Sequence, residues 1–260
     1  ERILDTIARE YKAFIERRRL KERALISTTA FKDRVPHPTE EIYCTNMESA
    51  IPTIYISVTE SWHFFREVFP SLMKHSVDDH KDLFRSYLPK LQMLEGFYRT
   101  KRIFGGFDKF MMCSVILVMN MRFPDEWIPL SEGGNNRSSL VQSMELFMND
   151  QMAIVIPSLD RTKMTETEMH AMLALMLCDS DLNTITSDSL FASLDVIRND
   201  VIKDLQRYYK EEMGLNDYSI RLGNLMTLCH TLREATCVFQ ECFRMQVAIF
   251  DVFTKETIIK

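Results

Sequence analysis

Apolar residues recur at steps of three and four along most of this chain. Ile3, Leu4, Ile7, Tyr11, Phe14 and Ile15 do so first. Leu83, Phe84, Leu88, Leu91, Leu94 and Phe97 follow, then Leu222, Leu225, Met226, Cys229, Leu232, Phe239 and Phe243. At 3.6 residues per turn this spacing gathers each set on one helical face, and a soluble chain must bury such faces by stacking helix on helix. Only 7 Gly and 8 Pro among 260 residues leave few turns, which argues against many short strands.

The pattern predicts a first amphipathic helix and a second over 47–68, stopped by Pro70 after Phe69. Ser76 or Asp78 caps a third that runs to about residue 100, and Pro89 should bend or split it. Helix resumes near 138. Thr165 with Glu168 forms a capping box, another helix spans 187–213 and ends at Gly214, and the last starts near Asp217. Residues 28–46, with Pro36 and Pro38, read as loop, and 103–137 as a loop region holding a short hairpin. With no internal repeat and no linker, residues 1–260 make one all-α domain with a small β insert.

A net charge of −5 disfavours nucleic-acid binding by this segment. Arg17, Arg18, Arg19 and Lys21 form the one tight basic cluster, read as a solvated helix end, with a contact to DNA or to a preceding DNA-binding segment as the alternative. Six scattered cysteines without a C-x-x-C pair point to reduced, mostly buried thiols in an intracellular protein rather than to a zinc site. The longest apolar run, 111–119, is too short to span a bilayer. The 17 Met and 17 Phe are core filler or the lining of a pocket that repacks around an apolar guest.

Catalysis has little foothold. Asp78, Asp79 and Asp82 spell D-D-x-x-D, a spacing that in isoprenoid synthases stacks carboxylates against Mg²⁺. Such enzymes need a second acidic cluster, and neither Asn199-Asp200 nor Asn216-Asp217 supplies one. Acids in a first turn also complement the helix dipole. The histidines show no metal-ligand spacing, and no phosphate-binding glycine loop is present.

Several stretches occur in a telling order. Phe69-Pro70 precedes Asp78-Asp79-His80, then Leu83-Phe84-Arg85, then Arg99-Thr100. EMHAMLALMLCDSDLNTITSD follows at 168–188 and YSIRLGNLMTLCHTLREATCVFQE at 218–241. Together they resemble a nuclear-receptor ligand-binding domain, in the pattern of the hepatocyte nuclear factor 4 branch and its nematode relatives. The resemblance implies a three-layer helical sandwich with a small β-hairpin, lying in the nucleus and reaching DNA only through a zinc-bearing domain outside this chain. It implies no enzyme activity, no cofactor and no membrane partner. Expected instead are an apolar small-molecule ligand, coregulator helical peptides, and a homodimer or receptor heterodimer.

Counted from the first Asp, Arg99 lands on that branch's pocket arginine, where a guanidinium would hold the head-group of a bound fatty acid. Ile54, Ile56, Val58, Met93 and Phe97 are the implied pocket wall. Arg66, Glu67, Lys81, Arg85, Ile258 and Ile259 would frame the coregulator groove. Arg221, Leu222, Leu225, Leu228, Leu232 and Thr236 would face the dimer partner. Three departures stand out. His80 replaces the family's Gln, Glu67 stands where a clamp lysine is expected, and the activation helix breaks off at Ile258-Ile259-Lys260, with Glu256 out of register as an alternative clamp. A dimerising, coregulator-binding module without a ligand switch is the alternative reading.

Overall fold

A computed structural model describes residues 2–26, 34–128, 135–179 and 187–250. Among them the helices are α1 (Ile3–Ala24), α2 (Met47–Val68), α3 (Val77–Phe104), α4 (Asn135–Thr162), α5 (Glu166–Cys178), α6 (Asp188–Arg207) and α7 (Ser219–Phe250). Four short strands join them, β1 (Arg34–Val35), β2 (Ile42–Cys44), β3 (Phe110–Met112) and β4 (Leu117–Asn120).

Helix starts follow local chemistry. The side chains of Asn46, Ser76, Thr165 and Ser187 each accept a backbone N–H in the first turn of α2, α3, α5 and α6. Thr165 and Glu168 form the reciprocal capping box. Gly105 and Gly214 close α3 and the π-helical turn after α6 with φ of 74° and 66°, values that a side chain disfavours.

α5 is apolar on all sides, and every residue from Glu168 to Cys178 is buried. It forms the middle of the molecule with α3; α1 and α2 pack together on one side, and α4 packs on α7 on the other. This layering of helices is the sandwich expected from the sequence.

The structure refines three expectations. Pro89 does not split α3, which runs unbroken because Leu83, Phe84 and Tyr87 before it and Leu91 and Leu94 after it enter the same core. The hairpin β3–β4 exists, but it belongs to a four-stranded sheet of order β1-β2-β4-β3, so part of 28–46 is strand rather than loop. Strands of two and three residues carry no period that a sequence can display. The long helix predicted to Met213 is α6 to Arg207 followed by one π-helical turn, Tyr208–Glu212.

Candidate functional site

The last turns of α3 lie against the hairpin. Gly96 permits the approach, since a Cβ there would stand 3.2 Å from the Met112 carbonyl. One turn on, the buried Thr100 hydroxyl donates to the Gly96 carbonyl at 2.6 Å and accepts from the Met112 amide at 2.9 Å. Phe97 is buried against Phe107, ring centroids 5.4 Å apart, and Met93 is buried as well.

Arg99 is half-buried between these contacts. Its Nη2 donates to the Val115 carbonyl at 2.9 Å, in the turn joining β3 to β4, while its Nε is buried without a hydrogen-bond partner. No carboxylate among the described residues pairs with it.

The other face of that turn meets a charged cluster from α1. The fully buried Glu22 accepts through Oε2 from the Ser114 hydroxyl at 2.9 Å and from the Val115 and Ile116 amides at 3.1 and 3.2 Å. Its Oε1 lies 3.4 Å from Arg18 Nε, and Arg18 Nη1 donates to Glu95 on α3 at 2.6 Å. Burial raises the Glu22 carboxyl above its usual range despite Arg18 and Ser114. Burial alone would lower Arg18, but Glu95 and Glu22 outweigh it and hold the guanidinium above its usual value.

The basic cluster is therefore not a solvated helix end. Arg18 is 2% exposed; Arg17 and Lys21 converge on the buried carboxylate of Glu60 on α2, and Arg19 reaches Glu40 at 3.3 Å. The helical stripe Tyr11, Phe14, Arg18, Glu22 carries two charges into the interior, and Arg17 and Lys21 turn to α2. Neither Glu22 nor Glu95 was singled out in the sequence, although Arg18 and Glu22 stand one turn apart on the apolar face.

The remaining site residues separate by helix phase. Ile54, Ile56 and Val58 are each half-buried, while the buried positions of α2 are Met47, Ala50, Thr53, Ser57, Glu60, Ser61, Phe64, Phe65 and Val68. Arg66, Glu67 and Arg85 are exposed and Lys81 is half-buried; Glu67 lies 3.9 Å from His63, and Arg85 pairs with Asp82 at 2.9 Å. Glu256, Ile258, Ile259 and Lys260 lie outside the described residues.

The residues expected to face a dimer partner are largely turned inward in the single chain. Leu225, Leu228, Leu232 and Thr236 are buried within the chain's own core, and Leu222 is half-buried against it. Arg221 donates from Nε and Nη2 to the buried Glu168, both at 2.6 Å, with Tyr209 as a third donor at 2.9 Å. The outward face of α7 carries Ile220, Met226 and Val238, 79%, 42% and 47% exposed, with Thr227, His230 and Cys237 among them. The apolar stripe read from the sequence was the inward one.

Asp78 and Asp79 sit in the first turn of α3, where Ser76 accepts the Asp79 amide at 3.1 Å. Among the described residues no cluster of His, Cys, Asp or Glu could hold a metal ion, and no helix is long and apolar enough to cross a membrane. Of the five described cysteines only Cys178 and Cys229 are buried, and burial pushes both thiols up to about 12.

Comparison with known proteins agrees with this architecture. Residues 36–246 match the family model for the ligand-binding domain of nuclear hormone receptor. The ultraspiracle ligand-binding domain from Drosophila melanogaster superposes with a TM-score of 0.54 at 14% identity, covering 94% of this chain and 91% of that one. That identity speaks to the fold alone. No curated protein matches the sequence.

Proposed function

The chain belongs to the nuclear hormone receptor ligand-binding domains, and from that premise we propose that it is the ligand-sensing, dimerising module of a nuclear transcription factor of the hepatocyte nuclear factor 4-like branch. Its ligand is an apolar molecule with an acid head-group, of which a fatty acid is the simplest. The observation that carries this reading is Arg99, a half-buried guanidinium with one N–H on a backbone carbonyl, a buried Nε without a partner and no carboxylate among the described residues.

Arginine cannot shed its charge, and its rigid fork matches a carboxylate in two-point contact. An acid meeting that fork gains charge-assisted hydrogen bonds worth about 1.5–3 kcal/mol each. A tail lying along Met93, Phe97 and the half-buried Ile54, Ile56 and Val58 gains about 0.8 kcal/mol for each CH₂ removed from water. Ligand contacts then favour the arrangement of the domain that offers a groove for a coregulator helix beside Arg66, Lys81 and Arg85. The outward face of α7, with Ile220, Met226 and Val238, receives the dimer partner.

A constitutive dimerising module without a ligand switch has one observation in its favour. Glu67, exposed where a clamp lysine is expected, repels the C-terminus of a peptide helix. Native mass spectrometry of purified protein separates the two readings. A lipid bound one-to-one by wild type and lost from Arg99→Ala supports the sensor; equal lipid on both removes Arg99 from the role.

A further inference from the structure

We propose that Glu22 is a positioning residue for Arg99, acting through the Val115–Ile116 peptide. The proposal rests on reading Arg99 as the anchor for an acid. A trans peptide unit is planar, and its C=O and N–H point in opposite directions. The structure contains no cis peptide among its described residues. The Ile116 N–H donates to Glu22 at 3.2 Å, and the Val115 carbonyl, the other end of the same plane, accepts from Arg99 at 2.9 Å. One rigid unit therefore has α1 on its N–H end and α3 on its C=O end.

Glu22 has a firm hold on this unit. Its Oε2 also takes the Val115 amide and the Ser114 hydroxyl, and Ser114 Oγ in turn accepts the Ile116 and Leu117 amides at 3.3 and 3.0 Å. The facing charges are Arg18 on α1, 3.4 Å from Glu22 Oε1, and Glu95 on α3, which reaches the cluster through Arg18. Removing the charge of Glu22 weakens this hold, and rotation of the loosened peptide takes the Val115 carbonyl away from Nη2. Arg99 then keeps its charge and loses its aim.

The test compares wild type, Glu22→Gln and Ser114→Ala, the last removing one anchor of the turn without touching a charge. Palmitate and hexadecanol serve as probes of equal chain length with and without the acid. Circular dichroism confirms folding. Palmitate affinity is expected to fall by about tenfold in Glu22→Gln, as for one charge-assisted hydrogen bond, and less in Ser114→Ala, with hexadecanol affinity unchanged in both. The Val115 and Ile116 amides exchange faster in Glu22→Gln, and the Arg99 Nε–H resonance moves. Equal losses for acid and alcohol overturn the proposal, leaving Glu22 a stabiliser of the fold. So do unchanged exchange and an unmoved resonance. If wild type binds neither probe, the anchor reading fails on its own, while the resonance and the two amides still decide whether Glu22 aims Arg99.

Discussion

A charge carried into an interior persists only where partners offset its lost hydration. Arg18 meets that condition with Glu22 and Glu95, so Arg18→Met strands two buried carboxylates. Its expected cost is roughly 3–5 kcal/mol, read from urea unfolding; a change within about 0.5 kcal/mol, the size of an ordinary surface substitution, contradicts the account. The titrating groups differ in sign. Burial pushes the Glu60 carboxyl up, but Lys21 and Arg17 outweigh it and hold it below the usual range. Its contribution is present above about pH 4.3 and is lost as pH falls through the lower folded value. His170 lies against Tyr11, ring centroids 5.5 Å apart, and burial lowers its pKa despite Glu166. A base held below its free value costs nothing above about pH 6.5 and destabilises the fold as pH drops below that. His170→Leu should therefore flatten the stability profile as pH falls below about 6.5. Identical slopes for the two proteins would show that the imidazole does not titrate unfavourably in the fold.

At the scale of elements, long amphipathic helices were legible and short pairings were not. The stripes of α1, α3 and α7 are written in residues three and four apart, and the cap of α5 in Thr165 and Glu168. The parallel pairing of Tyr43 with Leu117 and of Cys44 with Val118 joins segments more than seventy positions apart, and nothing local announces it. Helix phase is a related blind spot. Leu225 and Met226 are both apolar, and only the packed structure shows that Leu225 is buried while Met226 is 42% exposed. Arg99 was singled out by its position, whereas its bond to Val115 and the contacts of Glu22 needed the turn in place. The seam between α3 and β3 gives its own test. Gly96→Val drives a branched side chain towards the Met112 carbonyl, 3.2 Å from the added Cβ, on a strand stitched to Thr100. A loss of roughly 1–3 kcal/mol in thermal or urea unfolding is expected, and an unchanged midpoint would mean that β3 moves aside freely.

For the whole molecule, burial on α7 separates assembly from folding. Met226→Glu and Val238→Glu place charge on the outward face, so sedimentation should show a shift towards monomer with helicity intact. Leu232→Glu places charge in the core and should abolish the cooperative fold, as measured by circular dichroism. If the outward changes leave the association state untouched, the partner sits elsewhere. The proposed sensing rests on another region, where α3 brings a half-buried guanidinium with an unpaired Nε to the hairpin beside buried apolar side chains. Titration calorimetry of palmitate into wild type and Arg99→Ala tests that most directly. Saturable one-to-one binding that weakens by about tenfold or more in the variant is the expected result; equal affinity in the two proteins would contradict the acid-anchoring role.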